Sequence, residues 1–217
     1  MSDGFERRLR RALTAREPRR PHVTGARAAA VLVPIVGIPE PTLILTLRTD
    51  TVRSHKGQIS FPGGSIDPGD PSAEAAALRE AHEEIGLDPA SVRILGELDT
   101  TPTFVSGFVI TPVVGWIDRP PSLEPNPAEV AEVLEVPISA LTESARVEPG
   151  FSLAGRTYPT EAWLWKDHAV WGITARLLGL LLEALAAAGL ADPPRPTSSP
   201  WPTDGTEAAA DQKRSAG

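Results

Sequence analysis

The chain has 217 residues, of which 41% are hydrophobic and 23% charged, so it can bury a sizeable core and is not a disordered or fibrous chain. Its net charge of −7 argues against a nucleic-acid-binding protein, because those proteins present a basic surface. The absence of cysteine excludes disulfide scaffolds, thiolate metal sites and cysteine nucleophiles, and favours a cytoplasmic protein. Reactive chemistry must therefore come from carboxylates, hydroxyls or a hard metal ion.

The two ends of the chain differ in composition from its centre. Residues 1–27 carry eight arginines and three acidic residues, which predicts either a surface helix with a solvated face or an arm that attracts anions. Residues 191–217 are rich in proline and small polar residues and have too little apolar surface to offset the entropy of ordering. We therefore expect one domain over residues 28–190, between a basic N-terminal segment and a disordered tail.

The central part shows the periodicities of strands and helices. The predicted elements are, in chain order, strands at residues 29–36 and 42–48, a helix at 72–85, strands at 92–98 and 109–117, and a leucine-rich helix at 171–191. Arg176 and Glu183 interrupt the last helix, so we expect it to pack in the domain and not to span a membrane. This order predicts an α/β fold of the α+β type, with a mixed sheet between helices.

The helix predicted at residues 72–85 concentrates carboxylates on one side. Asp70 or Ser72 can cap its start, and Gly86 can end it. Three glutamates share one face at helical spacing: Glu80, Glu83 and Glu84. Like charges placed this way repel by roughly 0.2–0.5 kcal/mol per pair, and a bound divalent cation would relieve the repulsion. Carboxylate oxygens without thiolate or imidazole neighbours favour Mg²⁺ or Mn²⁺.

The residues around these glutamates resemble the Nudix box. The box is a glycine, five residues, Glu, seven residues, then Arg-Glu, an aliphatic residue, any residue, Glu-Glu, any residue, glycine and an aliphatic residue. Here the pattern begins at Gly64, and the run 79–87 matches it closely. Three departures occur: Asp70 replaces the usual Glu, one extra residue precedes Arg79, and Ala81 replaces a larger aliphatic residue. They put the role of Asp70 in question more than the roles of the glutamates.

The resemblance implies an α/β/α sandwich and a metal-dependent hydrolase. By position, it implies that Glu80 and Glu84 are metal ligands and that Glu83 is a third ligand, directly or through water. It also implies a catalytic set of Glu83, Glu80 and Arg79, in which Arg79 pairs with a neighbouring glutamate and holds its working rotamer. His82 is expected to face away from this group.

The general base stays open at this point. A box glutamate, or a carboxylate from a later loop such as Glu129 or Glu132, can orient the attacking water. His55 lies in the loop before the glycines and is interpreted as a loop histidine.

A second pattern lies upstream of the box. Residues 44–48 read Ile-Leu-Thr-Leu-Arg and are followed by Arg53, Gly57 and Phe-Pro-Gly-Gly at 61–64. This resembles the signature of Nudix hydrolases that cleave coenzyme A, with its spacing preserved. The resemblance implies hydrolysis of the pyrophosphate bond to give 3′,5′-ADP and 4′-phosphopantetheine. The implied substrate contacts are Arg48, Arg53, Lys56, Gly63 and Gly64, with arginine forks suited to phosphate oxygens.

Other functions remain open beside this one. The box alone also fits hydrolysis of NADH, ADP-ribose or a damaged nucleoside triphosphate, and the upstream signature is what favours coenzyme A. A Nudix domain that has lost catalysis and senses a ligand is disfavoured, because all three box glutamates are present. We expect a small-molecule substrate, no nucleic acid or membrane partner, and a possible homodimer. The sequence does not separate free coenzyme A from its acylated or oxidised forms.

Overall fold

The structure is a computed structural model, and it describes residues 2–49, 58–103, 106–142, 145–153, 156–166 and 168–192. The helices are α1 (Ser2–Thr14), α2 (Ala73–Ile85), α3 (Ile138–Thr142) and α4 (Gly172–Ala187), with a 3₁₀ turn at Pro89–Ser91. The strands are β1 (Arg27–Val36), β2 (Thr42–Arg48), β3 (Ile59–Ser60), β4 (Gly63–Ser65), β5 (Val92–Glu97), β6 (Thr101–Pro102), β7 (Phe108–Ile117), β8 (Val130–Pro137), β9 (Ala145–Leu153), β10 (Arg156–Trp165) and β11 (His168–Trp171).

The larger sheet is mixed, as predicted. β1 and β7 run parallel over their whole length, while β2 and β8, and β5 and β7, pair antiparallel. The short strands β3 and β4 pair with β2 and β1 respectively, and they bring the glycines at 63–64 onto the middle of the sheet. A second sheet of three antiparallel strands has the order β11-β10-β9.

Helices cover both faces of the larger sheet. Alternate residues of β1 enter two separate cores, since successive side chains of a strand point to opposite faces. Ala30 and Leu32 join the alanines of α2, whereas Val33 and Ile35 join leucines of α1 and α4. The predicted α/β/α sandwich with a mixed sheet is therefore confirmed.

The first half of the basic N-terminal segment forms α1, which packs on the domain. Leu9 is fully buried, and Phe5 stacks on Trp116 with 5.8 Å between ring centroids. Arg8 donates to the carbonyl oxygens of Ala188 (3.0 Å) and Gly189 (2.6 Å), just beyond the end of α4. This part of the segment is thus a docked helix, and its apolar side contributes to the core.

Other arginines of the segment pair with carboxylates of the domain. Arg16 lies 2.6 Å from Asp99, and Arg20 pairs with Glu97.

The tail predicted at residues 191–217 lies outside the described residues beyond residue 192. Within the part of the chain that is described, no helix is both long and apolar enough to cross a membrane.

Candidate active site

Local sequence fixes both ends of α2. The Ser72 hydroxyl accepts a hydrogen bond from the Ala75 N–H at 3.1 Å, so Ser72 and not Asp70 is the capping residue. Gly86 ends the helix at φ 67°, in the left-handed region that favours glycine, and its N–H donates to the carbonyl of His82. Ala81 is fully buried on the sheet side. The small residues on this side let the last two turns of α2, which carry the glutamates, lie close to the sheet.

Asp70 holds Arg79 in a fork. Arg79 Nε donates to Asp70 Oδ1 at 3.1 Å, and Nη2 donates to Oδ2 at 3.0 Å. The hydrogen bond from Arg79, followed by that from the Asp67 N–H, lowers the pKa of Asp70. Nη2 also donates to the carbonyl oxygen of Ser65 at 3.2 Å, which fixes the guanidinium against β4. The aspartate that departs from the box therefore keeps a defined role, which is to orient Arg79.

The remaining nitrogen of Arg79 faces the glutamates. Its Nη1 lies 3.0 Å from Glu80 Oε1 and 3.0 Å from Glu83 Oε2. The structure thus shows the pairing of Arg79 with a neighbouring glutamate, and shows it twice. His82 is exposed on the other side of the helix, and its Nδ1 contacts the carbonyl of Leu87 at 3.2 Å.

The three glutamates have very different exposures. The side chain of Glu84 is 4% exposed, that of Glu80 is 19% and that of Glu83 is 55%. Burial raises the pKa of Glu84 to about 7, although Arg48 and the Gly63 N–H oppose the shift. Burial also raises the pKa of Glu80, against the effect of Arg79.

Arg48 contacts the most buried of these carboxylates. Its Nη1 donates to Glu84 Oε1 at 3.3 Å, and the Gly63 N–H donates to Oε2 at 3.2 Å. Arg48 ends β2, where its partner on β8 is Val130 after a shift in register. Sequence reasoning missed this contact, because it depends on how the strands pair. The predicted substrate contacts Arg53 and Lys56, and also His55, lie outside the described residues.

The two glycines leave room for backbone and carboxylate. A Cβ on Gly63 would lie 2.5 Å from the Ala30 carbonyl oxygen, and a Cβ on Gly64 would lie 2.5 Å from the carboxyl group of Glu80. The pair therefore lets β4 join β1 and lets Glu80 reach the backbone. Substrate binding by Gly63 and Gly64 stays a prediction.

The two candidate bases from later segments lie in different surroundings. The charge of Glu129 contributes to raising the pKa of both Glu80 and Glu84, so Glu129 belongs to this carboxylate group. Its backbone also meets the end of β2, since the Thr49 N–H donates to the Glu129 carbonyl at 3.0 Å. Glu132 instead places Oε2 4.0 Å from His168 Nε2, on the side of β11.

The donor set suits a divalent metal ion that the substrate helps to bind. Among the described residues, no three acidic or histidine side chains converge closely enough to hold a metal ion as they stand. Glu80 and Glu84 nevertheless supply two hard oxygen donors from adjacent turns, and Mg²⁺ commonly binds through one or two carboxylates plus substrate phosphates. The residues present therefore fit such an ion. A ligand set that includes Glu83 stays a prediction.

The structure combines a mixed sheet between helices with an acidic, capped helix that follows a pair of glycines. This is the architecture of a Nudix hydrolase. The chain matches the family described as NUDIX domain over residues 26–152, which is more than half of its length, and it belongs to this family. It is therefore a hydrolase of nucleoside diphosphate derivatives, a class that generally uses divalent metal ions.

Curated relatives agree with this assignment. The chain is 43% identical over 158 residues to "Uncharacterized Nudix hydrolase NudL" of Photorhabdus laumondii, which covers 72% of this chain and 84% of that protein. Its identity to the protein of the same name from Cronobacter sakazakii is 45% over 156 residues, covering 70% and 79%. A solved MutT/nudix family protein from Enterococcus faecalis aligns with TM-score 0.48 and 14% identity, covering 83% of this chain and 73% of that one.

Proposed function

We propose that this Nudix hydrolase cleaves the pyrophosphate bond of coenzyme A in an Mg²⁺- or Mn²⁺-dependent reaction. The products are 3′,5′-ADP and 4′-phosphopantetheine, or its acyl derivative if a thioester is the substrate. One observation carries the proposal: Arg48, from the upstream signature, contacts Glu84 of the Nudix box at 3.3 Å. This contact supports a single site in which the residues of both patterns act on one substrate.

The basic residues of the signature suit the charge of this substrate. Coenzyme A carries a diphosphate and a 3′-phosphate, and arginine binds phosphate oxygens through two parallel hydrogen bonds. Arg48 lies beside the carboxylates and so suits the diphosphate. The roles of Arg53 and Lys56 toward the phosphates rest on the sequence.

The carboxylates then fall into two groups, those that would hold the metal ion and those that could accept a proton. Glu80 and Glu84 would hold the metal ion, which when bound neutralises charge on the transferred phosphoryl group and lowers the pKa of the attacking water. Arg79, oriented by Asp70, keeps Glu80 in place. The proton of the attacking water passes to a carboxylate at the edge of the site, and Glu83 and Glu129 are the candidates that the geometry favours over Glu132.

Substrate comparison tests the proposal. Purified protein is incubated with coenzyme A, NADH, ADP-ribose and the common triphosphates, in Mg²⁺ and in Mn²⁺, and the products are resolved by chromatography. We expect metal-dependent release of 3′,5′-ADP from coenzyme A, faster than turnover of the other substrates. Faster hydrolysis of another diphosphate would contradict coenzyme A as the substrate but would still agree with a Nudix pyrophosphatase. Metal binding without any turnover would favour a ligand sensor.

The same assay with acetyl-coenzyme A and the coenzyme A disulfide compares the rates at which the free, acylated and oxidised forms are hydrolysed. A homodimer and a cytoplasmic location are further expectations, and sedimentation of the purified chain tests the first.

A further inference from the structure

Both oxygens of Glu84 are already engaged by the protein. Oε1 accepts from Arg48 Nη1 at 3.3 Å, and Oε2 accepts from the Gly63 N–H at 3.2 Å. The carboxylate is almost completely buried, so water does not compete for these positions. A metal ion that binds Glu84 therefore shares its oxygens with two protein donors, one of which is the cationic guanidinium of Arg48. Both contacts are long for hydrogen bonds, which makes them weak and easy to exchange.

Arg48 is also incompletely satisfied in this position. Its Nε–H is buried and has no hydrogen-bond partner in the part of the chain that the structure describes. A buried donor without an acceptor is unfavourable, and a guanidinium cannot relieve it by losing a proton. Arg48 thus neutralises Glu84, while its Nε–H has no acceptor among the described residues.

Charge balance favours the position of Arg48 beside Glu84. A buried carboxylate without a compensating cation is costly, and Arg48 supplies that charge. A divalent ion at Glu84 would supply it instead, and two cations on one carboxylate oxygen would repel each other. Exchange of one cation for the other is therefore favoured over binding of both.

We propose that Arg48 is the resident counter-ion of Glu84 in the metal-free protein and that the metal ion competes with it for this carboxylate. Release of Arg48 then frees its guanidinium for the oxygens of the diphosphate. The inference rests on the proposed function, since it takes Glu84 as a metal ligand. By linkage, metal loading strengthens diphosphate binding, and a bound diphosphate strengthens metal binding.

Mn²⁺ binding measured directly on the full chain tests the competition. Titrations followed by electron paramagnetic resonance compare wild type, Arg48→Met and Arg10→Met, each checked for folding by circular dichroism. Arg10 is an exposed arginine paired with Glu6, so its removal changes the net charge by the same amount away from the site. We expect Arg48→Met to bind Mn²⁺ more tightly by roughly tenfold, within the range of coupled sites, and Arg10→Met to bind like wild type. Equal or weaker binding by Arg48→Met would overturn the competition.

Nuclear magnetic resonance of the arginine Nε–H groups tests it without altering Arg48. In wild type we expect Mg²⁺ to shift the Arg48 signal and to speed its exchange with solvent. In Glu84→Gln the signal should already be altered and should not respond to Mg²⁺. An Arg48 signal that saturating Mg²⁺ leaves unchanged in wild type would overturn the proposal.

Failure of the metal site and failure of the competition alone give different binding results. If Glu84→Gln binds Mn²⁺ as tightly as wild type, Glu84 is not a ligand, and the proposed metal site fails together with this inference. If Glu84→Gln weakens binding but Arg48→Met does not strengthen it, the metal site stands and only the competition fails.

Discussion

Arg79 is held by Asp70 through two parallel hydrogen bonds of 3.1 and 3.0 Å, although the aspartate stands where the Nudix box usually has a glutamate. The shorter side chain still reaches the guanidinium from the loop before α2. This fork leaves Nη1 of Arg79 for Glu80 and Glu83. A substitution at Asp70 should therefore change the rate of the reaction by releasing Arg79, and not by weakening substrate binding.

Asp70→Asn should lower kcat by roughly 10–100-fold, as is typical when a residue that orients a metal ligand is lost. KM for coenzyme A should change little, because both oxygens of Asp70 are engaged by Arg79 and the Asp67 N–H. Steady-state kinetics checks this. Asp67→Asn is the matched control, since Asp67 is an exposed carboxylate farther from the same arginine, at 3.8 Å. Equal losses in both variants would argue against the orienting role.

Gly64→Ala should lower activity without lowering the stability of the fold. The new Cβ would meet the carboxyl group of Glu80 at 2.5 Å, and this group can move away at little cost because it ends a flexible side chain. We expect Mn²⁺ binding and turnover to fall while the melting temperature changes little. Gly69→Ala is the control, since a Cβ there meets nothing within 4 Å. An active Gly64→Ala enzyme would contradict the placement of Glu80.

The pH dependence of stability should report on Glu84. Burial raises its pKa to about 7, so the folded state binds this proton more readily than the unfolded state. Without metal, the contribution of Glu84 to stability is full below its unfolded pKa, near 4.5, and is lost as pH rises through about 7. Thermal unfolding in EDTA should thus show wild type losing stability relative to Glu84→Gln over this window. A difference between the two proteins that is independent of pH would contradict the burial effect.

Removal of Leu9 should destabilise the whole domain. Leu9 is fully buried in the core shared by α1 and α4, so Leu9→Ala should lower the free energy of unfolding by about 2–5 kcal/mol. Urea unfolding checks this, with the exposed Arg11→Ala as the control. A loss below about 1 kcal/mol would mean that α1 is dispensable for the core.

Local patterns allowed much of the site to be predicted. The ends of α2 follow from Ser72 and Gly86, and the order of the box places its arginine and glutamates on one helix. The four predicted strands exist in the structure, with ends within two residues of the expected ones. These features depend on residues close together in sequence, which is why pattern reading finds them.

Features that depend on contacts between distant parts of the chain could not be predicted from the sequence. The contact of Arg48 with Glu84 requires the register of β2 against its neighbours. The same holds for β8 to β11, which carry weak periodicity and gain stability only from their partners. Leu9 and Phe5 share helical spacing on one side of α1, a pattern that could have predicted the docking but was not used, since only a surface helix or an anion-attracting arm was expected.

The most direct test of the account is coenzyme A hydrolysis by wild type, Glu84→Gln and Glu74→Gln under the same Mg²⁺ and Mn²⁺ conditions, with 3′,5′-ADP measured by chromatography. Glu74 is an exposed glutamate in the first turn of the same helix, so its substitution controls for the loss of one charge from α2. We expect wild type and Glu74→Gln to release 3′,5′-ADP at similar rates, and Glu84→Gln to fold normally but to be slower by orders of magnitude. Turnover by Glu84→Gln at the wild-type rate would contradict the metal site, and failure of the wild-type enzyme to release 3′,5′-ADP would contradict the substrate.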